Sequence, residues 1–101
     1  MAYSMMITDA DRDYLDQLPL SPTARGRVED FIDYAIANVT DAFRNDPGNR
    51  PRTNAPYFQV DFFILDTWGD GCYHKITFIV SDEHATAGVL AIVYVDHVDH
   101  V

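Results

Sequence analysis

Residues 57 to 80, YFQVDFFILDTWGDGCYHKITFIV, constrain the fold more than any other stretch of the chain. In an extended backbone Phe58, Val60, Phe62 and Ile64 share one face, and Tyr57, Gln59, Asp61, Phe63 and Leu65 share the other. Side chains alternate across a strand, so the wholly apolar set belongs on a core and the mixed set faces outward. A second run sets His74, Ile76, Phe78 and Val80 against Tyr73, Lys75, Thr77 and Ile79. Between the runs, Thr67-Trp68-Gly69-Asp70-Gly71 supplies the Gly and Asp that a tight connection with positive φ requires. The pattern predicts a β-hairpin of Tyr57–Asp66 with Cys72–Val80.

AYSMMI at residues 2–7 suits an edge strand, and Thr8 with Asp11 forms a T-x-x-D start for a short helix that Pro19 ends. Ser21-Pro22 is a second helix start. From there Ala24, Val28, Phe31, Ile32, Ala35, Ile36, Val39 and Phe43 recur at spacings of three and four. This predicts one amphipathic helix from Pro22 to Arg44, stopped by Asn45-Asp46-Pro47-Gly48. VLAIVYV at residues 89–95 is apolar on both faces, as in a central strand, and Ile92 and Tyr94 are expected to lie largely buried. The order strand, helix, helix, strand, strand, strand implies a single α+β domain over residues 1–101. It is a two-layer sandwich: an antiparallel sheet of three to four strands with a helical hairpin packed on one face.

Charge limits the partners. The formal net charge is −9, and from Thr53 onward Lys75 is the single base among seven acids. Binding to a phosphate backbone depends on Lys and Arg displacing counterions, so direct nucleic-acid binding is not expected. Lone Cys72 permits no intrachain disulfide and reads as a small core residue. With no apolar run of membrane length and no signal-peptide layout, the expectation is a cytoplasmic protein without membrane contact. Arg44, Arg50 and Arg52 form the one local concentration of positive charge, suited to contact with phosphate or another anion.

The order of elements resembles the RelE/ParE superfamily of type II toxin–antitoxin toxins. The resemblance is carried by MMITDADRDYLDQLP, by Phe31-Ile32-Asp33 in the long helix, and by HKITFIVSDE and VLAIVYVDHV. These last two are similar to the family's penultimate strand, acidic turn and last strand. The resemblance implies a ribosome-dependent messenger-RNA endonuclease in which Lys75, His97 and Tyr94 are the catalytic candidates, with His97 as acid or base. It also implies a protein partner, either an antitoxin or a target protein. The chain departs from the family in its basic residues. Val98 follows His97 where the family has arginine, and Asp61, Asp66, Asp96 and Asp99 stand on or beside the strands. Carboxylates there oppose the charge that develops on a transferring phosphoryl group, so ribonuclease activity is doubtful.

Asp96, His97, Asp99 and His100 raise a metal reading, but His97 and His100 face opposite sides of an extended strand. A solvated tail is preferred, and neither metal nor cofactor is expected. Three function classes remain: a toxin-like protein acting through protein–protein contact; a small acidic phage-encoded inhibitor (an anti-CRISPR or other anti-defence protein imitating nucleic acid); and a structural module, for which homodimerisation stays open.

Overall fold

The computed structural model describes residues 2–50, 56–66 and 72–100. The Thr67–Gly71 turn, Arg52 and the side chain of Cys72 lie outside the described residues. The elements are β1 (Ser4–Ile7), α1 (Asp9–Asp16), α2 (Pro22–Asp30), a π-helical stretch (Phe31–Ile36), α3 (Asp41–Asn45), β2 (Tyr57–Asp66), β3 (Cys72–Ser81) and β4 (Val89–His100). The strands form one four-stranded sheet in the order β1-β4-β3-β2. β2, β3 and β4 are an antiparallel meander, as expected, whereas β1 joins β4 in parallel, Ser4 opposite Val89 to Ile7 opposite Ile92. β1 and β2, the two edges of the sheet, therefore run in the same direction, and the helices lie between them in the chain.

The capping residues act as their chemistry dictates. The Thr8 side chain accepts from the backbone N–H of Asp11, and that of Ser21 from Ala24, so each helix start has an oxygen on an otherwise unpaired donor. Leu15, Leu18 and Leu20 from the first corner, with Ala24, Val28, Ile32 and Ile36, pack on Phe58, Ile64, Ile76, Phe78, Val80, Leu90, Ile92 and Val95. Phe31 bridges the layers, its ring centroid 4.5 Å from that of Phe62 and 5.8 Å from that of Phe78. The result is the α+β two-layer arrangement with helices on one face.

The long helix is shorter than its apolar spacing predicts. After Asp30 the bonding widens to π-helical, with the Ala37 N–H donating to Ile32 O at 3.3 Å. The Ala37 carbonyl then accepts from the Tyr3 N–H at 2.7 Å, which ties the helix end to the start of β1. Thr40 restarts the chain as α3, its hydroxyl accepting from the Phe43 N–H at 3.1 Å. Absence of Pro and Gly does not protect a helix when a β-branched pair, Val39-Thr40, ends in a capping hydroxyl followed by Asp41.

One irregularity sets the polarity of everything after it. Ile79 pairs with Tyr94 but Val80 pairs with Ile92, so Val93 is an extra residue on β4. A bulge of this kind reverses the side-chain phase of the strand beyond it. Leu90 and Ile92 point to the core before it, and Val95 does so after it, while Tyr94 is 54% exposed. The expected burial of Tyr94 is thereby corrected.

Candidate functional site

The bulge turns His97 and Asp99 toward the helical side of the sheet, where β3 already presents His74. His74 pairs with Asp99, and the next inward pair is Ile76 with His97. The three polar groups converge: His74 Nδ1 lies 2.8 Å from His97 Nε2, and Asp99 Oδ1 lies 3.0 Å from each of those nitrogens. With the ring planes 19° apart and the centroids 5.1 Å apart, most of the centroid separation lies along the N···N line. The imidazoles therefore meet edge to edge, not face to face. His74 is 3% exposed and Asp99 54%, so the cluster runs from the interior out to solvent. Burial holds His97 below the ordinary imidazole range; Asp99 opposes that, His74 reinforces it and Asp96 opposes it. A lowered value leaves His97 neutral at neutral pH, with a nitrogen lone pair for a proton or another cation.

The same end of the sheet is fastened to the helices by Asp66, one inward position beyond the Ile64–His74 pair. Both Asp66 oxygens accept from Ser21, one from its N–H and one from its hydroxyl, each at 2.8 Å. The hydroxyl in turn accepts from the Ala24 N–H at 3.1 Å. A buried carboxylate held in this way fixes the corner between α1 and α2. Along β4 beyond the stretch that β1 pairs, the Tyr14 hydroxyl is raised above its ordinary pKa by burial, then by Asp96 and Tyr94; a hydrogen bond with the His97 backbone acts against that rise.

The candidate catalytic residues fall on two faces. Lys75 and Tyr94 point outward, Lys75 between Phe63 and Val98 and Tyr94 opposite Ile79, while His97 points inward. A four-stranded sheet separates the lysine from the imidazole, so the two do not share a reacting centre.

Arg44 and Arg50 are brought together, but on a carboxylate of the chain itself. Asp82 accepts from Arg44 at 2.8 Å and from Arg50 at 2.9 and 3.2 Å, with its side chain 6% exposed. Arg44 also bonds Asp41, at 2.5 Å, and lies over the Tyr3 ring. Burial by itself raises the Asp82 carboxyl, yet the hydrogen bonds and charges of Arg50 and Arg44 outweigh it and hold the group below the usual carboxylate range.

Among the described residues, no helix covers the outward face of the sheet. Its middle row is Asp61–Thr77–Asp96, and the Asp61 carboxylate accepts from Thr77 at 2.9 Å and Gln59 at 3.1 Å. On one side of that row lie Phe63, Val98, Leu65 and Tyr73, and on the other Ile79 and Tyr94. Phe63 alone is 64% exposed.

Sequence reasoning missed His74 as a partner of His97 and Asp99. The i, i+2 spacing of His97 and Asp99 was visible, but their partner sits 23 residues before His97 and only strand register brings it close. Asp82 stands in the Ser81-Asp82-Glu83 stretch, which carries no sequence signal that two arginines close on it. Among known proteins, no family model, no curated sequence and no solved structure matches this chain. Among the described residues, no helix is long and apolar enough to cross a membrane.

Proposed function

We propose that this protein acts by binding another protein on the open face of its sheet, as expected of a toxin-like protein held by an antitoxin or engaging a target. The observation that carries the reading is the composition of that face: exposed aromatic and aliphatic side chains on either side of an Asp61–Thr77–Asp96 row. Large exposed apolar side chains gathered on one face mark interaction sites, and aromatic side chains are the usual anchors. The acidic row specifies the occupant. A basic, amphipathic segment, with Lys or Arg between apolar anchors, would set its cations against Asp61 and Asp96 and its anchors against Phe63 and Tyr94. Charge complementarity of this kind supplies specificity and speeds association. Messenger-RNA cleavage has less support, because Lys75 stands beside two carboxylates on this face and Arg44 and Arg50 are neutralised by Asp82.

The test is affinity purification from the native host with wild type, Phe63→Asp, Tyr94→Asp and, as a control on the helical side, Asp33→Ser. The expected result is a partner whose bound region is a basic amphipathic segment, lost with either face variant, kept by the control, and weakened as salt rises. Three outcomes overturn the reading: capture that ignores both face variants; a nucleic-acid-binding channel competing with DNA or RNA, which identifies the acidic inhibitor instead; and self-association alone, abolished by Phe63→Asp, which identifies a homodimer module.

A further inference from the structure

We propose that His74, His97 and Asp99 form a binding site for one divalent first-row transition-metal ion, with zinc as the representative. The inference stands on the inward side of the sheet and is independent of the docking face described above. Its basis is convergence. Two imidazole nitrogens and one carboxylate oxygen, contributed by two strands, lie 2.8–3.0 Å from one another. Such a cluster is held either by an imidazole N–H that donates to the other two groups or, with both nitrogens unprotonated, by a metal ion that all three ligate.

The donor set selects among metals. Imidazole with carboxylate suits zinc, cobalt, nickel and ferrous iron, whereas magnesium and calcium take oxygen donors. A tetrahedral ion with bonds of about 2.0–2.1 Å keeps its ligands about 3.3 Å apart, so the triangle must open by about 0.3–0.5 Å and the imidazoles, whose nitrogens now face each other, must tilt until their lone pairs converge on the ion. Asp99, the most exposed of the three, can move outward by that amount, while His74 is held in the packed layer. Three protein ligands with a solvent-facing side leave a position for water, as in catalytic rather than closed structural zinc sites. An ion there also clasps the last residues of β4 to β3.

The site has a local origin. His74 follows the alternation of β3, and His97 and Asp99 reach the same side only because Val93 is bulged. Without that extra residue Asp96 and Val98 would take the inward places of His97 and Asp99, and the present triad would not form.

The experiment is calorimetric titration of the untagged full chain with zinc chloride at neutral pH, alongside the visible spectrum of the cobalt-loaded protein. Wild type is expected to bind one ion per chain with micromolar or tighter affinity, to melt at higher temperature with zinc, and to be indifferent to millimolar magnesium. Loss of an outer-shell partner alone weakens metal sites about 10–100-fold, so Asp99→Asn and His97→Gln should each weaken binding by at least about 100-fold. His84→Ala, at the opposite end of β4, should bind as wild type. Because His74 is buried, His74→Ala can fail to fold; the exposed Asp99→Asn variant, checked by circular dichroism, therefore carries the decision. Absence of saturable zinc binding up to millimolar concentration would show a hydrogen-bonded cluster without a metal role. Binding unchanged in Asp99→Asn and His97→Gln, or lost in His84→Ala, would place the ion elsewhere and overturn the proposal.

Discussion

Replacing Asp82 by alanine tests whether the two arginines are structural. The carboxylate, 6% exposed, accepts three hydrogen bonds from Arg44 and Arg50, whose side chains are 13% and 16% exposed. Removing one partner of a buried ion pair typically costs about 3–5 kcal/mol, because the other charge is left uncompensated. Two features reduce that here. Arg44 keeps Asp41, and Arg50 keeps the Tyr57 carbonyl, so neither guanidinium is stranded. The expected loss is about 2–4 kcal/mol, a large part of the roughly 5–15 kcal/mol that stabilises a domain of this size. Urea unfolding at neutral pH should show the midpoint falling with the slope unchanged, and the melting temperature should drop by on the order of 10–20 °C. The exposed neighbour Glu83→Ala should stay within about 0.5 kcal/mol of wild type. The pH dependence has a fixed sign. A carboxyl held below its unfolded value of about 3.9 contributes fully above that pH and loses its contribution as pH falls through the lower folded value. Wild type should therefore lose more stability than Asp82→Asn between neutral pH and acid below about pH 4. A loss under about 1 kcal/mol for Asp82→Ala, with parallel acid limbs for wild type and Asp82→Asn, would refute the reasoning and return Arg44 and Arg50 to the pool of cations available to a ligand.

Core truncations should separate by burial. Ile36→Ala, at a fully buried site, should cost about 3–5 kcal/mol, and the half-buried Phe62→Ala, which loses its contact with Phe31, about 2–3 kcal/mol, both read from urea midpoints. Near-wild-type curves for both would remove them from the core. Induced expression of wild type should leave cellular messenger RNA uncleaved, and Lys75→Ala should be indistinguishable from it. Site-specific cleavage by wild type, abolished by Lys75→Ala, would contradict the separation of that lysine from His97.

Local chemistry determined much of the fold by itself. The hairpin from Tyr57 to Ser81 is visible in residue alternation, because burial on one face of a strand writes a period of two into the sequence. Thr8 and Ser21 mark helix starts because a side-chain oxygen on an orphan N–H is a contact between near neighbours. Thr40 carried the same mark, but the unbroken apolar spacing around it pointed to one long helix.

The tertiary structure decided what depends on distant pairing. Nothing in VLAIVYV shows that Val93 is the extra residue, since every neighbour is apolar and either phase would bury an apolar face; the register against β3 selects one. That choice sends Tyr94 outward and His97 and Asp99 inward, dividing the candidate catalytic residues and assembling the His74 cluster. Arg44 and Arg50 meet Asp82 for a similar reason: the carboxylate lies 38 and 32 residues away along the chain, and an ion pair at such separation has no periodicity for a sequence to display.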